Sequence, residues 1–256
     1  MDYIRQLGLL DPKDIKKKSV SIIGVGATGS HVALYLAQLG WGNLAHEQGI
    51  IRVFDDDIIE EHNICNQIYE PSQVGKSKVE ALNEIIKRKC NFEIETHKEM
   101  VTNQKSVQST YVFILTDTMA SRKEIFENCL RFSFNTDLVI ETRMGLREGR
   151  VYAFNPHDGD QVLAWKDTLY SDEEANVSAC GASASIITTT TFLASLACGR
   201  VVQHFNGKYG TDDKISKPDR SQKLWNEVHF SLYPESFYYR MFNGGEPQFI
   251  QQNLNQ

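Results

Sequence analysis

The sequence has no basic excess. Its 256 residues carry 27 Lys and Arg against 33 Asp and Glu, a formal net charge of −6. Nothing in that balance displaces counterions from a polyanion, so a non-specific nucleic-acid binder is not expected. Five cysteines (Cys65, Cys90, Cys129, Cys180, Cys198) include no CxxC pair. A disulfide framework is not expected at this length, and a zinc ribbon lacks its ligand spacing. The cysteine usage reads as a reducing, cytoplasmic compartment. The seven histidines show no HxxxH or HxxE spacing, and neither a Walker A nor a GxSxG signature is present. Met1–Gln6 lacks a basic stretch followed by an apolar run, so a secretory leader is not expected. The longest uncharged stretch, Ala175 to Gly199, holds too much Ser, Thr, Gly and Asn for a membrane span and predicts a buried helix instead.

What is present is a regular alternation. Apolar runs at 19–23, 50–54, 92–96, 111–115 and 138–140 predict strands. Helical periodicity predicts helices from about Thr28 to Leu39, Lys76 to Arg88 and Ser121 to Arg131. Alternation with continuous apolar strands predicts an α/β fold: a Rossmann-like, mostly parallel sheet with helices on both faces. The second half differs. Segments 150–154 and 161–165 read as antiparallel strands, 182–205 as a long apolar helix, 212–222 as a polar loop, and 228–233 and 236–242 as closing strands. The best division is a Rossmann-like region over 1–145 and an extension over 146–256, packed as one compact unit.

Between the first strand and first helix lies Gly24-Val-Gly26-Ala27-Thr28-Gly29, a GxGxxG. Glycines there permit a tight turn and let helix N-terminal N–H groups approach phosphate oxygens. Asp55 ends the second strand, where a carboxylate accepts hydrogen bonds from ribose hydroxyls. The triple Asp55-Asp56-Asp57 alone does not choose between NAD and ATP. It also reads as a plain solvated turn.

Further motifs follow in order. Asp55-x-Asp57 precedes Asn63-Ile-Cys-Asn66-Gln67, then Val74-Gly75-Lys-Ser-Lys78. Arg5-Gln6 precedes the first strand, and Thr116-Asp117 with Arg122 follows the fourth. This set resembles the ThiF/MoeB/HesA family of adenylating enzymes, relatives of the ubiquitin-activating enzymes. The resemblance covers residues 3–150, and more loosely the helix after Cys180. It implies ATP at the loop, with Gly24, Gly26, Ala27, Thr28 and Gly29 near the phosphates and Asp55 on the ribose. Asp57, Asn63, Asn66 and Gln67 would line the same site. Lys78 would neutralise developing phosphate charge, and Asp117 would hold Mg²⁺ or place the reacting carboxylate. Arg5 would reach the triphosphate across a homodimer interface. The acyl partner would be a small ubiquitin-like (β-grasp) protein ending in glycine. No nucleic acid, membrane or zinc is expected.

The pattern also departs. The family's N-x-x-R-Q carries an arginine where this chain has Asn66, which supplies neither a cation nor a bidentate fork. Arg52 and Lys76 are the sequence-near cations. Cys180, before the long apolar helix, is the candidate to take the acyl group as a thioester, with Cys65 an outside candidate and burial in a core the plain alternative. Cys90, Cys129 and Cys198 read as core residues. Arg122 reads as structural, and Asp117 as a possible helix cap. Two other functions stay open: a non-catalytic scaffold that lost turnover with Asn66, and an NAD-dependent oxidoreductase, which leaves Lys78 and Asp117 without tasks.

Overall fold

A computed structural model describes residues 3, 6, 9–11, 15, 18–42, 49–103, 105–171, 186–209, 226–242 and 248–249. The described strands are β1 (Val20–Ile23), β2 (Ile51–Phe54), β3 (Glu95–His97), β4 (Tyr111–Ile114), β5 (Leu138–Met144), β6 (Glu148–Phe154), β7 (Glu227–Leu232), β8 (Glu235–Arg240) and β9 (Gln248–Phe249). The helices are α1 (Ala27–Gln38), α2 (Lys78–Cys90), α3 (Met119–Ile125), α4 (Gly159–Lys166) and α5 (Ile187–Tyr209).

All nine strands form one sheet in the order β3-β2-β1-β4-β5-β6-β7-β8-β9. From β3 to β5 the pairing is parallel; from β5 to β9 it is antiparallel. The strand order reverses at β1, with β2 on one side and β4 on the other, so the loops leaving β1, β2 and β4 open toward a shared crevice. β1 and β4 are buried along their whole length, VSII and YVFI, because helices cover both faces.

Two apolar layers sandwich the sheet. One packs α1, α2 and α5 against Ile22, Phe113, Ile140 and Val151. Trp41 is wholly buried there, edge-on to Tyr111 and Phe205 at 6.2 and 5.8 Å. Each such side chain contributes about 1.5–3 kcal/mol over its exposed state. The other layer packs Phe126, Trp165 and Phe154 on the opposite face.

Two expectations change. Residues 161–165 are not a strand: Asp158 caps α4 by accepting from Asp160 N and Gln161 N, and Trp165 turns inward. Alternation over five residues was too short to separate a strand from a capped helical turn. β5 also runs past Ile140 to Met144, through Glu141 and Arg143. The β5–β6 hairpin closes at Gly145, whose N–H donates to Glu148 O at 2.9 Å. The predicted loop at 212–222 lies outside the described residues.

Candidate nucleotide site

The glycine loop is built by close backbone approach. Gly24 has φ +89°, and a Cβ there would stand 2.7 Å from the Leu115 carbonyl oxygen. A Cβ on Gly29 would stand 1.9 Å from the Gly24 carbonyl oxygen. Both positions require glycine for packing. Gly26 differs, since the nearest atom to its Cβ position is Gln67 Nε2 at 4.0 Å. Its missing side chain leaves open space beside the start of α1. That helix begins without a side-chain cap and without an acidic residue in its first turn. Its first N–H groups therefore offer donors and partial positive charge to an anion.

Asp55 pins this loop. Its Oδ2 accepts from Val25 N at 2.7 Å, and its Oδ1 accepts from Asp57 N at 3.0 Å. Burial raises the carboxyl above its ordinary range, opposed by the Val25 N–H and the Lys78 charge. Tyr69 holds the same loop from the other side, donating its hydroxyl to Val25 O at 2.7 Å.

Lys78 opens α2, and its side chain is 9% exposed. Its N–H donates to Asp57 O at 3.0 Å, and its Nζ donates to Asp57 Oδ2 at 2.7 Å. The β2 end and the α2 start are thereby tied together. Asp117 follows β4 beside the loop, because a Cβ on Gly24 would also meet Thr116 N at 3.3 Å. Asp117 is exposed, and it does not cap α3; Thr118 does, accepting from Ser121 N at 3.2 Å. Its exposed carboxylate oxygens are hard donors that suit Mg²⁺. Among the described residues, the acidic group with oxygens close enough to share an ion is Asp55, Asp56 and Asp57, within 4.8 Å of one another, and it does not include Asp117.

Asn63 serves its own turn. Its Oδ1 accepts from Glu60 N at 2.9 Å, while Glu60 caps in return. Asn66 and Gln67 lie over α1. The His31 imidazole hydrogen-bonds the Asn66 backbone, and burial lowers the ring's pKa against that bond. His31 Nε2 and Gln67 Oε1 are buried with no hydrogen-bond partner, as is Ser77 Oγ before Lys78. Buried polar atoms left unpaired cost about 1–3 kcal/mol each, so a polar occupant fits here. No residue spacing marks His31 beyond its place in the first turns after the glycines.

Arg52 and Lys76 do not replace the missing arginine. Arg52 pairs with Glu95 at 3.1 Å, and Lys76 pairs with Glu84 at 3.0 Å. Arg5 and Cys180 lie outside the described residues. Cys65 is exposed, with its thiol on His62 O; Cys90, Cys129 and Cys198 are buried. No helix among the described residues is long and apolar enough to cross a membrane. Two cavities, of about 670 and 690 Å³, lie away from the glycine loop: one over β6–β8, one between α1 and α5.

A glycine turn after β1, an acidic β2 end and a buried lysine opening α2, gathered where the strand order reverses, are the features of a nucleotide-binding type of α/β fold. The chain belongs to the ThiF family, which it matches over residues 2–234. It is 35% identical over 101 residues to ubiquitin-like modifier-activating enzyme 5 of Caenorhabditis briggsae, covering 39% of this chain and 22% of that protein. It is 27% identical over 162 residues to the adenylyltransferase and sulfurtransferase MOCS3 of Anopheles gambiae, covering 61% and 34%. The chain thus spans a fifth to a third of these relatives. Among solved structures, E. coli MccB with ATP superposes with TM-score 0.63 at 17% identity, over 90% of this chain and 65% of that one. PaaA superposes with TM-score 0.63 at 20% identity, over 90% and 66%. At these identities the likeness shows a shared fold.

Proposed function

We propose that this chain adenylates a carboxylate with ATP. The observation that carries the reading is the fixed glycine loop, held by Asp55 and Tyr69, with a buried lysine anchored at the adjoining strand end. Gly24, Gly26 and Gly29 with Ala27 and Thr28 take the phosphates, and Asp55 keeps lone pairs for the ribose. Gln67 and Asn66 line the phosphate side, with Asp57 holding Lys78. Lys78 offsets the charge that builds as one anion attacks another, the term that dominates such transfers. Mg²⁺ held by Asp117 would supply further positive charge on the phosphates.

The substrate carboxylate is the terminal glycine of a small ubiquitin-like or sulfur-carrier protein. Relatives named as ubiquitin-like modifier-activating and sulfurtransferase enzymes support this, and E. coli MccB has been solved together with AMPCPP and MccA. A homodimer with Arg5 reaching across, a thioester on Cys180 and a cytoplasmic location belong to the same proposal. An oxidoreductase would leave Lys78 idle.

Asn66 supports one rival, a partner-binding scaffold without turnover, because Arg52 and Lys76 are engaged elsewhere. Pyrophosphate exchange into ATP separates the two. Exchange that depends on a glycine-terminated β-grasp protein supports adenylation. Tight partner binding with ATP bound but no exchange supports the scaffold.

A further inference from the structure

Glu141 is wholly buried on β5, between two guanidinium groups. Arg122 Nε lies 3.2 Å from its Oε1, and Arg143 Nη2 donates to its Oε2 at 2.9 Å. The Trp165 indole N–H donates to Oε2 at 3.2 Å. The outer end of Arg122 then reaches two backbone carbonyls: Nη2 donates to Thr116 O at 2.6 Å and to Thr142 O at 3.2 Å. Arg143 is itself fixed, donating to Thr168 O at 2.6 Å and stacking over Tyr152 at 4.4 Å.

Thr116 immediately precedes Asp117. The Asp117 carboxylate is exposed, so its place depends on the backbone that carries it. That backbone is held by Arg122 on the Thr116 carbonyl and by the Ser121 hydroxyl on Thr116 Oγ1 at 2.7 Å. We infer that Glu141 is a positioning residue for Asp117, acting through Arg122. The inference rests on the adenylation reading for what Asp117 does, but not for where it is held.

The chemistry explains why the arrangement needs a carboxylate. A guanidinium has a planar fork of five donors. Its Nε edge faces the Glu141 carboxylate as an ion pair at 3.2 Å without a hydrogen bond, and its far edge donates to the carbonyls. Buried ion pairs are costly compared with apolar packing, and bulk stability alone does not call for one here. A misplacement of about 1 Å in a reacting constellation costs on the order of 100-fold in rate.

Two variants test this. Glu141→Gln keeps the shape but loses the charge. Arg122→Lys keeps the charge but loses the fork, and it carries the test if Glu141→Gln fails to fold. Glu127→Gln is the control, removing ion pairs to Arg131 and Lys166 on the same side of the sheet. Hydrogen exchange of the 113–122 peptide is measured alongside pyrophosphate exchange against Mg²⁺ and ATP. The expected result is about tenfold faster amide exchange in that peptide, with the peptide over 20–29 unchanged. The apparent kcat falls about 10–100-fold, KM for ATP moves less than about twofold, and half-saturation by Mg²⁺ rises, while Glu127→Gln leaves all four alone. Unchanged 113–122 exchange in Arg122→Lys, or an equal change in Glu127→Gln, overturns the inference. A wild-type chain with no pyrophosphate exchange would sink the adenylation reading, and the amide-exchange arm would still decide the positioning.

Discussion

Lys78 Nζ lies 2.7 Å from Asp57 Oδ2, with the lysine side chain 9% exposed and the aspartate 64% exposed. The cation is inside and the anion is outside. On the adenylation proposal, an incoming phosphate would meet a charge already desolvated and aimed. Asp57 can return to water when the lysine changes partner, so little reorganisation accompanies binding.

On that proposal, removing the charge strikes the transition state. Lys78→Met should lower the rate of pyrophosphate exchange by about 10²–10³-fold, the range seen when one preorganised stabilising donor is lost. Asp57→Asn should act mainly on KM, because it frees the lysine without removing it. Steady-state kinetics of both variants check this split, and a larger kcat loss in Asp57→Asn than in Lys78→Met would contradict it.

The glycines separate fold from site. Gly29→Ala places a Cβ 1.9 Å from the Gly24 carbonyl oxygen, a backbone atom that has no easy escape. It should destabilise the fold by about 3 kcal/mol or more. Gly26→Ala meets nothing nearer than 4.0 Å and should fold with a similar Tm. It should weaken ATP binding about tenfold or more by filling the space beside the α1 N-terminus. Thermal unfolding and ATP titration of the two variants test the contrast.

His31 gives a pH signature. Burial lowers its pKa below the ordinary value of 6.5. In the unfolded chain the ring takes a proton as pH falls through about 6.5, while the folded ring resists until lower pH. Stability is therefore complete above that value and declines as pH drops toward the folded pKa. The slope from this one group is at most about 1.4 kcal/mol per pH unit. His31→Gln should flatten that part of the Tm-against-pH curve between pH 5 and 7, and superimposable curves would refute the assignment.

The parallel half was legible in the residues because its strands are buried on both faces and its helices show clear periodicity. The glycine loop and Asp55 could be read from their strand–helix context and Lys78 through the family resemblance, and the structure draws them to one switch point. Glu141 was not read. The apolar run at 138–140 suggested a strand end, while Glu141 and Arg143 continue it on the same face as Val139, neutralising each other in the interior. His31 escaped because one histidine in a helix pattern carries no spacing signal. Residues 161–165 misled because a side-chain cap, not periodicity, decides their state.

Asn66 suggests a gain-of-function test. Asn66→Arg restores the cation of the family pattern beside the glycine loop. It should tighten ATP about 3–10-fold relative to AMP, since a charge-assisted contact to the terminal phosphates contributes about 0.7–1.4 kcal/mol at a partly wet site. Parallel titrations with ATP and AMP check this, and an equal effect on both would contradict it.

The most direct measurement is isotope exchange between pyrophosphate and ATP, catalysed by the purified chain with and without a small β-grasp protein ending in glycine. Adenylation of a carboxylate predicts exchange only when that protein is present with its terminal glycine intact, abolished by Asp117→Ala and lowered about 10²–10³-fold by Lys78→Met. ATP and the protein both bound, with no exchange above background, would contradict it.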